Sequence, residues 1–312
     1  MKCPVYYILM LLWLASCAGK QREAETSGQV PDKELATETP VELPLPTIPE
    51  SLNTPEARAA YLALHFWDGM DFTDHALSLD TAFMEQNFAN YLSVFPVVTQ
   101  ETERNKAVGT LLQKAARDST AATFLLEVVD KYLRDPNSPM RDETLLIVFY
   151  EQLLQIPDIP ESCRKHTAWL LDKAMKNRPG SVAADFTYLS RRGTKSTLHA
   201  RRTGGPTLLI FYDPDCEQCK ETLQVLVQMP LPHAWNVLAI DAERDKARWD
   251  ETKASLPETW DVGFSTTDLT GSGQYELPAL PTLYLLDSNN RVLLKDPTLE
   301  QLAAFVASGH AN

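Results

Sequence analysis

The spacing of apolar residues changes three times along the chain. Val5 to Leu14 is an unbroken apolar run. Ala18 to about Glu50 has few large apolar residues and is rich in Glu, Thr, Pro and Lys, ending in Pro44-Leu-Pro46-Thr-Ile-Pro49. From about Asn53 to Asn177, apolar positions recur at helical spacing. Beyond Pro206, short apolar runs alternate with amphipathic segments. The pattern predicts an α+β chain of two domains: an all-α helical domain over residues 53–178, then an α/β domain over residues 180–312.

Within the helical part, Thr54-Pro55-Glu56 is a start signal: a capping hydroxyl, a proline at the first position, then an acid. Further helices are predicted over 80–94, 98–117, 119–134, 141–155 and 160–177, broken at Pro96, at Asp135-Pro136-Asn-Ser-Pro139, at Pro157 and at Pro160. Asn177-Arg-Pro179-Gly180 is a helix stop and the domain boundary. A hairpin pattern follows, Ala184-Asp-Phe-Thr-Tyr-Leu189 and Thr197-Leu-His199 around Arg191-Arg-Gly193-Thr. Then come strand 207–212, helix 216–228, strand 235–240, helix 243–255, strands 259–264, 282–287 and 291–295, and helix 298–308. Strands alternating with helices predict a sheet covered on both faces.

The N-terminal run follows a short basic start, is too short to span a bilayer, and ends in small residues before Cys17. That is a secretory signal. Leu14-Ala15-Ser16-Cys17 resembles a bacterial lipobox. The resemblance implies a signal peptide over residues 1–16, lipidation of Cys17, and a tether over residues 17–52 that stiffens toward polyproline conformation. The expected location is the bacterial cell envelope, anchored by lipid to a membrane, the outer one by expectation, and facing the periplasm or the surface.

Charge and cysteine usage narrow the function. Asp and Glu number 42 against 29 Lys and Arg, a net charge of −13, with no basic cluster; this argues against a nucleic-acid partner. Of five cysteines, Cys3 leaves with the signal and Cys17 carries lipid. Cys163, Cys216 and Cys219 remain: a close pair and a spare, as in a redox protein of an oxidising compartment.

The pair lies where chemistry is favoured. Cys216-Glu-Gln-Cys219 follows the strand 207–212 across a short acidic turn and opens a helix, whose N-terminus stabilises a thiolate. Other candidates have plainer readings. His65-Phe-Trp-Asp68-Gly-Met-Asp71-Phe-Thr-Asp74-His75 fits no standard ligand loop, and reads as a helix ending at Gly69 with Phe66, Trp67, Met70 and Phe72 in the core. Cys163 lies on an apolar helix face with Ile159, Thr167 and Leu170 and reads as a buried thiol. Asp80-Thr81-Ala82 and Asp118-Ser119-Thr120 look like short bacterial O-glycosylation acceptors, yet stand where helix caps are expected.

Residues 180–309 resemble the thioredoxin-like domain of envelope thiol–disulfide oxidoreductases, of the TlpA/ResA-like type. The matching pieces are Ala184-Asp-Phe-Thr, the strand Leu208 to Tyr212, Cys216-Glu-Gln-Cys219-Lys220, and Leu280-Pro281-Thr282-Leu-Tyr-Leu-Leu-Asp287. The helical part resembles an uncharacterised module that precedes such domains in bacterial lipoproteins. The resemblance implies a redox-active disulfide between Cys216 and Cys219, with Cys216 attacking and Cys219 resolving. It implies a cis-proline at Pro281, which with Leu280 shapes the edge where substrate docks. The implied partners are thiols and disulfides of envelope proteins and an electron donor of unknown identity. No cofactor and no metal ion is called for; structural zinc would need a second pair of ligands.

The sequence departs from that pattern at the acids. Asp215 stands where the family has tryptophan before the first cysteine, and Ile210 where thioredoxin has its buried acid. Thr222 occupies the position of the acid found in some envelope relatives, so the usual proton-handling carboxylate is missing from both places. Asp213, Asp215 and Glu217 are expected to oppose the helix dipole at Cys216 and raise its pKa, with a reduction potential of roughly −220 to −280 mV. The alternative is a binding or assembly lipoprotein whose thioredoxin-like part is a scaffold without catalysis.

Overall fold

In the computed structural model, residues 42–201, 203–243 and 245–308 are described. The signal peptide, Cys17 and most of the tether lie outside them. The chain divides into two compact units, Met1–His166 and Thr167–Asn312.

The first unit is helical: α1 (Pro55–His65), α2 (His75–Ser78), α3 (Thr81–Leu92), α4 (Glu101–Ala115), α5 (Ser119–Val129), α6 (Glu143–Leu154) and the start of α7 (Glu161–Ala174). Short polar side chains start these helices by accepting orphan backbone N–H groups. Thr54 caps α1, Asp80 caps α3 and Asp118 caps α5, the last through two N–H groups at 2.9 Å. Helix α5 runs on through a π-helical turn, Asp130–Arg134.

Helix α1 stops at His65 rather than Gly69, because Phe66, Trp67, Met70 and Phe72 all turn inward and no single helical face presents all four. Phe66 and Trp67 pack on Tyr91, with ring centroids 5.4 and 5.9 Å away. The polar members of that stretch make ion pairs, turns and caps. Asp68 takes His65 at 2.7 Å and Lys114 at 2.6 Å, and Asp74 caps α2. The expected tether reaches residue 52, but its described part is anchored at Leu43. That side chain is buried, and its N–H donates to Asn87 Oδ1 at 3.0 Å.

The second unit holds a seven-stranded mixed sheet in the order β2-β1-β5-β4-β3-β6-β7. Its strands are β1 (Thr187–Ser190), β2 (Lys195–Thr197), β3 (Thr207–Tyr212), β4 (Asn236–Asp241), β5 (Asp261–Ser265), β6 (Thr282–Leu286) and β7 (Val292–Lys295). β3, β4 and β5 are parallel, and the other pairings are antiparallel. Helices α8 (Glu217–Gln228), α9 (Lys246–Thr252) and α10 (Leu299–Ala307) complete it. All six residues of β3 are buried, as an apolar run without alternation requires.

The two faces of the sheet are covered differently. On one, Leu208, Ile210, Tyr212, Val237, Ala239 and Val262 meet Cys219, Leu223 and Leu226 of α8 and Leu302 of α10. On the other, Leu209, Phe211, Leu238 and Ile240 meet Ala183, Phe186, Leu198, Leu269 and Tyr275, so irregular chain roofs that face. The tail of α7 is fixed to this unit. Lys295 Nζ donates to the carbonyls of Ala174 and Lys176 at 3.2 and 2.9 Å, where the helix dipole favours a cation.

Candidate active site

β3 delivers the chain to the site and α8 carries it away. Asp213 organises the turn: its Oδ1 accepts the Asp215 N–H at 2.8 Å, and its carbonyl accepts the Cys216 N–H at 3.3 Å. Cys216 is the N-cap of α8, and its sulfur accepts the Cys219 N–H at 3.3 Å. The Cys216 sulfur therefore rests on a backbone N–H of the first helical turn, where a thiolate gains most from the dipole.

The sequence-predicted residues converge. Cys216 is half-buried and Cys219 fully buried one helical turn behind it. The Cys216 thiol donates to the Leu280 carbonyl at 3.6 Å, and the Leu280–Pro281 peptide is cis. Cys163, Thr167 and Leu170 of α7 are buried, as is Ile159 just before it. Cys17 lies outside the described residues.

The two sulfurs have distinct surroundings. Burial pushes the Cys219 thiol up to about 12, with the Cys216 sulfur and the Asp213 charge adding to it. The Asp213 N–H, which donates to Cys219 Sγ at 3.5 Å, pulls the other way. Cys219 is thus held as a thiol until something takes its proton.

The three acids around Cys216 are each engaged, which sequence reasoning missed. Arg248 of α9 binds Asp215 Oδ1 through Nε at 2.7 Å and holds that carboxyl below the usual range. Lys220 pairs with Glu217 at 3.2 Å, and Asp213 caps the turn. Nothing in the spacing links Arg248 to Asp215, 33 positions apart. A second residue also escaped notice. Asp241 ends β4 with 0% exposure, and burial pushes its carboxyl up to about 7. Its only sequence signal is an acid closing the apolar run Val237-Leu-Ala-Ile.

The comparisons with known proteins follow this division. Residues 16–177 match the family described as Domain of unknown function (DUF5106). A thioredoxin-like protein from Bacteroides caccae, known from its crystal structure, is similar over most of the molecule. It shares 29% identity, covers 86% of this chain and 98% of its own, and superposes with a TM-score of 0.79. The C-terminal domain of an uncharacterized protein from Bacteroides fragilis is 33% identical over 42% of this chain and 98% of its own, with a TM-score of 0.40. A thiol-disulfide oxidoreductase from Bacteroides fragilis is 23% identical over 41% of this chain and 98% of its own, with a TM-score of 0.35. No curated protein matches the chain. The second unit has a thioredoxin-like fold, as its residues implied, behind a helical N-terminal region.

Proposed function

The chain belongs to the DUF5106 family, and on that footing we propose that it is a thiol–disulfide oxidoreductase of the bacterial envelope, held to a membrane by lipid on Cys17. One observation carries the reading. Cys216 is half-buried, and its sulfur sits on the α8 N-terminus and faces the Leu280 carbonyl at 3.6 Å, with the buried Cys219 one turn behind.

The chemistry follows from that asymmetry. The Cys216 thiolate attacks one sulfur of a substrate disulfide. A Cys216–substrate S–S bond forms, and the substrate's own S–S bond breaks. The released substrate sulfur leaves as a thiolate and is protonated by solvent. Cys219 then loses its proton and attacks Cys216 Sγ, forming the Cys216–Cys219 bond and freeing the second substrate sulfur. Two electrons pass from the pair to the substrate, and a dithiol donor restores the pair. The substrates are disulfide-bearing proteins of the same compartment, and Leu280 and Pro281 form the edge against which they lie.

Dithiothreitol-linked reduction of insulin tests the reading. The expected result is turnover by the wild-type chain that is lost in Cys216→Ser. No turnover by either would leave the scaffold alternative standing. Metabolic labelling with a fatty acid tests the anchor: label is expected on the wild type and not on Cys17→Ser.

A further inference from the structure

Residues 167–182 and 291–295 carry five cations, Lys173, Lys176, Arg178, Arg291 and Lys295, against one acid, Asp172, in a chain of net charge −13. Contacts within the second unit gather these two segments. Lys295 Nζ reaches the Ala174 carbonyl, 121 positions back. Arg291 Nη1 donates to the Gly180 carbonyl, and Arg291 is the bridge partner of Val182. Arg178 Nη1 lies 3.5 Å from Met175 Sδ, and Lys173 Nζ stands 4.1 Å from the centre of the Trp169 ring. Large apolar side chains therefore stand among the cations: Trp169 is 52% exposed, Val182 50% and Met175 46%.

The acids nearby leave that excess of positive charge in place. Asp172 pairs with Lys176 at 3.2 Å, Asp287 takes the N–H groups of Asn289 and Arg291, and Asp296 follows β7. Exposed apolar residues scattered singly need no explanation, but three set among five cations make a surface that is both basic and apolar. We propose that this patch lies against an anionic membrane surface, with lipid phosphates meeting the cations and the Trp169 ring entering the headgroup layer. The inference rests on the lipid-anchor part of the reading above and deepens it: lipid on Cys17 brings the chain to a membrane, and the patch makes a second contact with it.

Charge and shape together choose this class of partner. Anionic headgroups attract each Lys or Arg held close to them. That attraction fades beyond a Debye length, about 8 Å at physiological ionic strength, so acids on the rest of the chain do not cancel it. Tryptophan suits the boundary because its ring is apolar while its N–H finds a partner among headgroups and water. Lysine and arginine lay their stems along apolar surface and keep their charged ends wet. An acidic protein would satisfy the cations alone. Exposed Trp169, Met175 and Val182 favour a partner that offers charge and hydrocarbon in one layer.

The test floats the full chain carrying Cys17→Ser, and so without lipid, with vesicles of phosphatidylcholine alone or mixed with phosphatidylglycerol. The chain is expected to float with the phosphatidylglycerol vesicles only, and to be released in molar salt. Adding Lys173→Gln with Arg178→Gln, or separately Trp169→Ala, is expected to weaken that binding on the order of tenfold. Urea midpoints show that each variant is folded; should one fail to fold, the other decides alone. No flotation with phosphatidylglycerol overturns the inference, as does equal flotation of the chain with and without the added substitutions. Binding to poly-glutamate without binding to vesicles also overturns it, and gives the patch to an acidic protein. Fatty-acid labelling of the wild type reports on the anchor separately, so failure of the patch and failure of the anchor are told apart.

Discussion

Arg248 holds the carboxylate of Asp215, the residue directly before Cys216, with its Nε 2.7 Å from Oδ1. A helix far along the chain thus sets the charge beside Cys216. Arg248→Ala is expected to leave that negative charge unpaired beside Cys216 and slow its alkylation about twofold at low salt, the difference fading in molar salt. Asp215→Asn removes the carboxylate beside Cys216 while Arg248 keeps its pair with Glu251, and is expected to do the reverse. Iodoacetamide kinetics across pH check both signs.

Cys219→Ser is expected to accumulate mixed disulfides on Cys216, because the resolving sulfur is gone while the attacking one is untouched. Non-reducing gels of the envelope fraction should show adducts that vanish with dithiothreitol and are absent in the Cys216→Ser/Cys219→Ser double variant.

The reduction potential is expected at roughly −220 to −280 mV. Among the described residues, the Cys216 sulfur takes the Cys219 N–H and faces the Leu280 carbonyl, and the nearby cations Arg248 and Lys220 are each engaged with a carboxylate. Equilibration with glutathione measures the value, and a result above about −180 mV overturns the expectation.

Asp241 makes stability depend on pH. Its folded carboxyl, at about 7, lies above the ordinary aspartate value of 3.8. Between those limits the folded chain keeps a proton that the unfolded chain has lost, so stability falls as pH rises from about 4 to 7 and is flat above. The loss is on the order of a few kcal/mol. Asp241→Asn should remove this slope and be the more stable form at pH 8, as read from urea midpoints.

Gly263 on β5 lies against β1, opposite Ser190. A Cβ there would stand 2.4 Å from Tyr188 Cδ2 and 2.9 Å from Ile240 Cδ1. Gly263→Ala is expected to cost about 1–3 kcal/mol through overpacking, read from the shift in denaturation midpoint.

How much was legible in the sequence depended on how local the signal was. β3 announced itself as six consecutive residues suited to burial on both faces, and Cys216 and Cys219 showed the turn that follows it. Phe66, Trp67, Met70 and Phe72 were legible as core residues, but the helix carrying them was drawn one turn too long. α2 escaped because four residues hold too few positions for a period. The roof over Leu209 and Phe211 includes Ala183, Phe186, Leu269 and Tyr275, which lie outside the regular elements; the hairpin pattern over 184–189 marked a strand that begins only at Thr187. Arg248 on Asp215, and Asp241 beside Tyr212, depend on which strands and helices end up adjacent, and no spacing along one chain encodes that.

Leu280 packs against both cores of the sheet at once. The carbonyl that faces Cys216 is therefore wedged where two tightly filled regions meet, and moving it would disturb both. Whatever docks along this edge finds a stiff receptor and must itself do the yielding. Loosely held, extended segments with reachable sulfurs fit that demand; bridges locked inside finished domains do not.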